Sequence, residues 1–334
     1  DLMSDSGVMV SDRDELLAQV AYAYYLGGEG LSQIAKRLGR SVSMASRLLQ
    51  EARDRNLVDI RINYPLTRLS DMEAEIEERF GIDNAHVFTQ PSRIDSGEQL
   101  YRYGSLCAAS IDRALREADL IAVSWGRHVN TIVGNISAGP SDRQGTVVQA
   151  SGASGALGDD HDGARIAQRL ADRLGRSARL MPSPLIVDTV HVAEVLRNSA
   201  SITSVLDLLK RADVLLTSVG APFSDSSGLA RSGYLSEADL RDLREKNAAA
   251  DILGFHLDRN GEFLDVEINH RVIGILPEDL RRIPNVVLAV TGTDRVAAIL
   301  AILRGKYCNS ILTDRATAKA LLDAVDQPFS SNRR

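Results

Sequence analysis

Residues 31–53 read Leu31-Ser-Gln-Ile-Ala-Lys-Arg-Leu-Gly-Arg-Ser-Val-Ser-Met-Ala-Ser-Arg-Leu-Leu-Gln-Glu-Ala-Arg53. Leu31, Ile34, Ala35 and Leu38 fall at i, i+3, i+4 and i+7, the spacing of one helix face, and Gly39 interrupts it. Val42, Ala45, Leu49 and Ala52 resume the pattern on a second helix. Ala35 has to be small for the two helices to approach, Gly39 takes the turn conformation, and Ala45 and Leu48 pack the second helix down. Upstream, Leu16, Leu17, Val20, Ala21, Tyr24 and Tyr25 mark another helix, which the Gly27-Gly28-Glu29-Gly30 cluster ends. Downstream, Val58, Ile60 and Ile62 alternate with Asp59, Arg61 and Asn63 until Pro65, the pattern of a short strand or wing.

Charge gives this stretch a direction. Seven basic residues (Lys36, Arg37, Arg40, Arg47, Arg53, Arg55, Arg61) stand against three acidic ones (Glu51, Asp54, Asp59) between residues 31 and 63. That is a local +4 in a chain of net −6, which leaves −10 on the rest. An ordinary αα-hairpin in a core has no need of this asymmetry, whereas a helix-turn-helix that reads DNA does. On that reading residues 1–65 form a winged helix-turn-helix domain. Ser41, Ser43, Met44 and Arg47 face the major groove, and Arg47 is the candidate for a bidentate contact to guanine. Lys36, Arg37, Arg40, Arg53 and Arg61 suit phosphates, where they set affinity and salt dependence; each is equally read as a solvated surface charge.

The remainder has a different texture. Leu66, Leu69, Met72, Ile76 and Phe80 form a stripe on a charged helix over residues 66–82, read as a linker helix that either packs on a core or helps the chain self-associate. Beyond Gly81, β-branched runs at 85–88, 120–124, 146–149, 178–181, 214–219 and 286–290 alternate with helical patterns, which spells an α/β domain with a mainly parallel sheet over residues 83–334. Several strands run into glycine loops: Ser124-Trp125-Gly126, Ser151-Gly152-Ala153-Ser154-Gly155, Ser218-Val219-Gly220 and Thr291-Gly292-Thr293. In open α/β sheets the ligand crevice lies at such carboxyl ends. The length of 334 residues accommodates the small module beside the large one. Cys107 and Cys308 lack the spacing of a zinc site and read as buried hydrophobes in a reducing compartment. Apolar runs such as 297–303 fall short of the roughly 18 residues that a membrane span needs, and the polar residues 1–14 read as no signal peptide. A cytoplasmic chain is expected.

The run 31–39, the segment Leu48-Leu49-Gln50-Glu51-Ala52-Arg53 and Asn56-Leu57-Val58-Asp59-Ile60 resemble the N-terminal domain of the SorC family of bacterial transcriptional regulators. Val123-Ser-Trp-Gly126 resembles that family's GWG signature. Gly233-Tyr-Leu235 and Asp251-Ile252 resemble its GYL and GDI elements, and Asn309-Ser-Ile-Leu-Thr-Asp314 its closing segment. The match spans roughly residues 14–324. The resemblance implies a sugar-responsive repressor or activator, usually tetrameric, with a Rossmann-like effector domain similar in fold to the sugar-phosphate isomerases. The effector is a sugar, polyol or sugar phosphate.

The family's pocket carries over unevenly. Ser124 and Gly126 match its loop, but Arg127 and His128 stand where hydroxyl-bearing residues are usual. A glycine loop ahead of a helix presents N–H groups to an anion, and Arg127 or His128 strengthens that unless Arg127 faces solvent. Asp251 occupies the family's acidic position, either as a hydrogen-bond acceptor for effector hydroxyls or as a helix-end cap. Two glycines and a lysine are usual after strand 286–290; here Gly292 and Arg295 stand in that loop, and Arg295 can replace the lysine as an anion partner. Gln149, Gly152 and Arg231 complete the candidate pocket.

An enzyme is the rival class, because Asp251, His256, Glu267 and His270 are a potential acid–base set. They match no motif, and neither HExxH nor a P-loop is present in the sequence. Gly152, Gly155 and Gly158 miss GxGxxG, since Ser154 stands where its second glycine would be, and Ser154 lacks the GxSxG elbow. No catalytic residue, metal or cofactor is expected. The expected partners are duplex operator DNA, a small sugar-like effector and further copies of the chain.

Overall fold

A computed structural model describes residues 12–55, 57–65, 67–89, 96–139, 144–154, 162–224, 227–231 and 233–326, except the side chains of Ala230, Arg231 and Asp326. The chain divides into two compact units, Asp1–Ile62 and Asn63–Arg334.

In the smaller unit, helices α1 (Asp12–Tyr25), α2 (Leu31–Leu38) and α3 (Val42–Asp54) enclose a core of Leu17, Val20, Ile34, Ala35, Ala45, Leu48 and Leu49. Gly39 turns the chain between α2 and α3 at φ +60°, and its N–H donates to the carbonyl of Lys36. Glycine suits this left-handed position because it has no Cβ to clash. Ser41 then caps α3 by accepting from the Met44 N–H at 3.2 Å. Two details differ from the helical-spacing expectation. Val42 is 48% exposed, because it opens the first turn beyond the reach of the core, while Leu48 is buried as expected. The expected wing is not a strand among the described residues: residues 57–65 belong to neither described sheet, and Asp59 and Arg61 pair with each other along the run.

The larger unit contains β1 (Asn84–Phe88), β2 (Leu120–Val123), β3 (Thr146–Gln149), β4 (Ser177–Arg179), β5 (Val214–Thr217), β6 (Ala250–Ile252), β7 (Phe255–Leu257), β8 (Asn285–Ala289) and β9 (Ser310–Asp314). Seven form one sheet in the order β1-β9-β8-β5-β2-β3-β4, and every neighbouring pair is parallel. β6 and β7 make a separate antiparallel hairpin. Strand period two sorts the side chains into two cores. Ala122, Val148, Leu215, Leu288 and Ile311 face one, while Val123, Val147, Leu216, Ala289 and Leu312 face the other. Truncating one of these, Leu215→Ala for example, removes about 2 to 5 kcal/mol.

The helix expected over 66–82 is α4 (Ser70–Phe80), which belongs to the larger unit. Its Ile76 is fully buried. Glu77 and Glu73 accept from the N–H groups of Ala85 and Val87, each at 2.8 Å, so carboxylates of α4 satisfy donors on the edge strand β1. The later helices that shape the crevice are α5 (Ser96–Glu117), α6 (Arg127–Asn135) and α7 (Gly163–Leu174), all on the face of Val123 and Leu216. No helix among the described residues is long and apolar enough to cross a membrane.

Candidate functional site

Two surfaces carry candidate chemistry, one in each unit. On α3, packing turns Ala45, Leu48, Leu49 and Ala52 inward and leaves Ser43, Ser46, Arg47, Gln50 and Arg53 exposed. Ser41 is exposed too, with its Oγ committed to the cap, whereas Met44 is half-buried against the core and is not a freely exposed side chain. Lys36, Arg40, Arg47 and Arg53 make no ion pair among the described residues. Arg37 pairs with Glu29 at 3.3 Å, and Arg13 and Arg55 share Glu51. Ser46 and Gln50 were not among the expected site residues; their signal is the i+3 and i+7 spacing from Ser43.

In the larger unit, β2, β3 and β4 step outward one way, and β5, β8 and β9 step outward the other way. The reversal lies between β2 and β5, so the crevice of such a sheet opens above the loops that follow these two strands. Ser124-Trp125-Gly126 follows β2. Ser124 is buried, with its Oγ 3.3 Å from the Trp125 carbonyl, and Gly126 opens α6 at φ +114°. Arg127 is exposed, but His128 is buried beneath it.

His128 joins two loops. The Arg295 guanidinium lies 3.3 Å from Nδ1, and the Thr291 hydroxyl lies 2.9 Å from Nε2. Since a guanidinium only donates, Nδ1 accepts and Nε2–H donates to Thr291. Burial, reinforced by Arg295, pushes the imidazole down to about 3, which keeps it neutral. Arg295 is itself buried in the short 3₁₀ turn Thr293–Arg295, which Gly292 enters at φ +118° while donating its N–H to Thr317 Oγ1 at 2.8 Å.

Asp251 lies on β6, and its backbone exchanges hydrogen bonds with Gly220 in the loop after β5. A Cβ on Gly220 would fall 1.8 Å from Asp251 Oδ2, so only glycine admits the carboxylate here. Burial pushes Asp251 up to about 7, and nearby Arg295 opposes that rise. The carboxylate receives no hydrogen bond from a described residue. Buried polar groups ordinarily have partners, so a carboxylate without one among the described residues is unusual. Gln149, at the end of β3, accepts from the Met181 N–H at 3.0 Å, and its buried Nε2 has no partner among the described residues. Gly152 is held by close packing: a Cβ there would lie 2.1 Å from the Pro184 carbonyl. Arg231 ends a short helix, and its side chain lies outside the described residues.

The proposed acid–base set does not assemble as a unit. His256 opposes Asp251 in the hairpin, but its Nδ1 lies 3.2 Å from Asn269 Oδ1; His270 pairs with Asp265, and Glu267 approaches Arg271. Burial raises both cysteine thiols, Cys308 to about 12, which makes them poor nucleophiles. No cluster of metal-ligating side chains exists among the described residues. Tyr103 was missed as a neighbour of His128, because it meets it only through tertiary packing, whereas Gly220 and Thr291 lie in loops already named at strand ends.

The fold and crevice define a ligand-binding α/β module joined to a small three-helix unit. Residues 64–323 match the family described as "Putative sugar-binding domain". The chain is 30% identical to the deoxyribonucleoside regulator of Bacillus subtilis (strain 168) over 318 residues, covering 94% of this chain and 99% of the relative. It is 29% identical to the sorbitol operon regulator of Klebsiella pneumoniae, covering 93% and 99% respectively. The crystal structure of the full-length Klebsiella regulator aligns with a TM-score of 0.70 at 28% identity, across 93% of this chain and all of that one. The chain belongs to the SorC family of sugar-responsive bacterial transcriptional regulators.

Proposed function

We propose that α1–α3 bind operator DNA and that a sugar, polyol or sugar phosphate in the crevice controls that binding. Arg47, with Ser43 beside it on the exposed face of α3, reads base edges; Lys36, Arg37, Arg40 and Arg53 meet phosphates, and Ser41 and Met44 support the start of the helix. Two small units, paired in a dimer or tetramer, read a palindromic operator with half-sites about one helical turn apart or a multiple of it. In the crevice Asp251 accepts from effector hydroxyls, and Arg295, set by His128, meets the electron-rich end of the ligand. Ser124, Gly126, Gln149, Gly152 and Gly292 shape the walls, with Arg127 and Arg231 at its margin. The chain acts in the cytoplasm without catalysis.

The observation that carries the reading is Asp251, a buried carboxylate beside the strand-order reversal with no hydrogen bond from a described residue. The test is a thermal-shift screen against sorbitol, deoxyribose and their phosphates, chosen because two relatives are named for sorbitol and deoxyribonucleosides. A ligand at about 100 times its Kd adds about 2.7 kcal/mol of stability. The hit is then added to the protein bound to a duplex selected from a random-sequence pool. A changed duplex affinity supports the reading. Stabilisation without any change in duplex affinity contradicts it.

A further inference from the structure

The crevice is connected to the first residues of the larger unit by one helix, α5. Three consecutive residues of α5 face different partners, because successive helical residues point about 100° apart. Tyr103 is buried, donates its hydroxyl to the Leu312 carbonyl at 2.6 Å, and sets its ring edge-on to His128 with centroids 5.6 Å apart. The imidazole that positions Arg295 and Thr291 therefore rests on α5. The next residue, Gly104, lies against α6: a Cβ there would fall 2.4 Å from Thr131 Cγ2, so the two helices are in near-backbone contact and must shift together.

On another side of α5, the Arg102 guanidinium sits 4.7 Å from the centroid of the Tyr64 ring, and Tyr101 meets the same ring at 6.3 Å. Arg102 Nε is buried and has no hydrogen-bond partner among the described residues, so this seat is held by ring contacts that can rearrange. Tyr64 stands two residues beyond Ile62, where the smaller unit ends.

We infer that α5 relays occupancy of the crevice to the tether of the DNA-binding unit, through His128 and Tyr103 at one end and Arg102 and Tyr64 at the other. This rests on the effector reading of the crevice. A ligand that draws Arg295 from His128 Nδ1 frees the imidazole to reorient against Tyr103. Packed helices answer such a change by moving as bodies, and the Tyr64 seat moves with α5. Tyr103, Arg102 and Tyr64 are positioning residues and need not touch the ligand.

The test is amide hydrogen exchange on the full chain, with neither DNA nor ligand present. His128→Ala and Tyr103→Leu should each speed exchange across residues 63–69 about three- to tenfold, the loss expected when one aromatic contact is removed. Gln168→Ala, an exposed change on α7 where the side chain hydrogen-bonds only to Asp172 among the described residues, should leave that segment as in the wild type. Unchanged protection in β5 certifies the fold of each variant, and if Tyr103→Leu fails this check, His128→Ala decides. The relay is overturned if residues 63–69 exchange at the wild-type rate in the variant that passes, or if Gln168→Ala accelerates them equally. Failure of the regulator reading looks different: the wild-type chain would then retain no duplex from a random pool, whatever the exchange result.

Discussion

The cations of the two units are held in opposite ways. On the small unit Lys36, Arg40, Arg47 and Arg53 are exposed and make no ion pair among the described residues. In the crevice Arg295 is buried, hydrogen-bonded to His128 and set in the field of Asp251. The difference matches two kinds of partner. A polyanion brings its own counter-charge and releases counterions, so exposed, mobile cations serve it at little desolvation cost. A small ligand is selected by groups already fixed in place, and a buried charge is tolerable only when neighbours answer it.

Four predictions probe that contrast. The largest effect is expected in the crevice: Asp251→Asn should abolish the ligand response while duplex affinity without ligand stays near that of the wild type. Gly220→Ala should reproduce it with Asp251 still present, because the new methyl occupies the place of Oδ2. A joint loss of ligand response and duplex binding would erase the distinction between the two units. Next comes Arg47→Ala, which should cost about 1 to 3 kcal/mol on the selected duplex and relax base choice at one position, read by binding to a panel of point-mutated duplexes. Arg53→Ala should weaken all duplexes alike and lower the salt slope by about one. If the two arginine variants behave identically, the division between base reading and phosphate contact on α3 is wrong.

The fourth concerns pH. Asp251 lies near 7 in the folded chain against an ordinary 3.8, so the folded state holds the extra proton between those values. Its contribution is present at low pH and lost as pH rises through about 7. His128 works the other way: it lies near 3 in the folded chain against 6.5, so its contribution is present above 6.5 and lost as pH falls toward 3. Asp251→Asn removes one of the two opposing slopes. Denaturant unfolding should therefore show the variant gaining stability relative to the wild type as pH rises from 3.8 to about 7. A pH-independent difference would mean that Asp251 is not held protonated.

How much was legible beforehand divides along the same line as the two units. The helices of the small unit are set by patterns within a few residues, so helical spacing located α2 and α3, and Gly39 marked the turn. At residues 57–65 the alternation does not become a strand of either described sheet. In the larger unit the apolar runs marked β1, β2, β3, β5 and β8, and the glycine loops pointed to their carboxyl ends. Strand order did not follow from the pattern, because pairing β5 with β2 joins segments about 90 residues apart. Asp251, Arg295 and His128 were each named from the chain, but their mutual placement was not. It depends on Gly220 admitting a carboxylate, and on Thr291 and Arg295 reaching His128, which lies 163 residues earlier than Thr291.

The most direct measurement of the central claim uses Trp125, the single tryptophan of the chain, which lies in the loop after β2. Its fluorescence reports the ligand's affinity with and without saturating duplex, and a separate titration gives duplex affinity with and without saturating ligand. Two linked sites in one regulator must change each other's affinity by the same factor, expected at about 5 to 150 fold. Equal factors in that range are the predicted result. A ligand that alters Trp125 fluorescence with the same affinity whether or not duplex is bound would contradict the account.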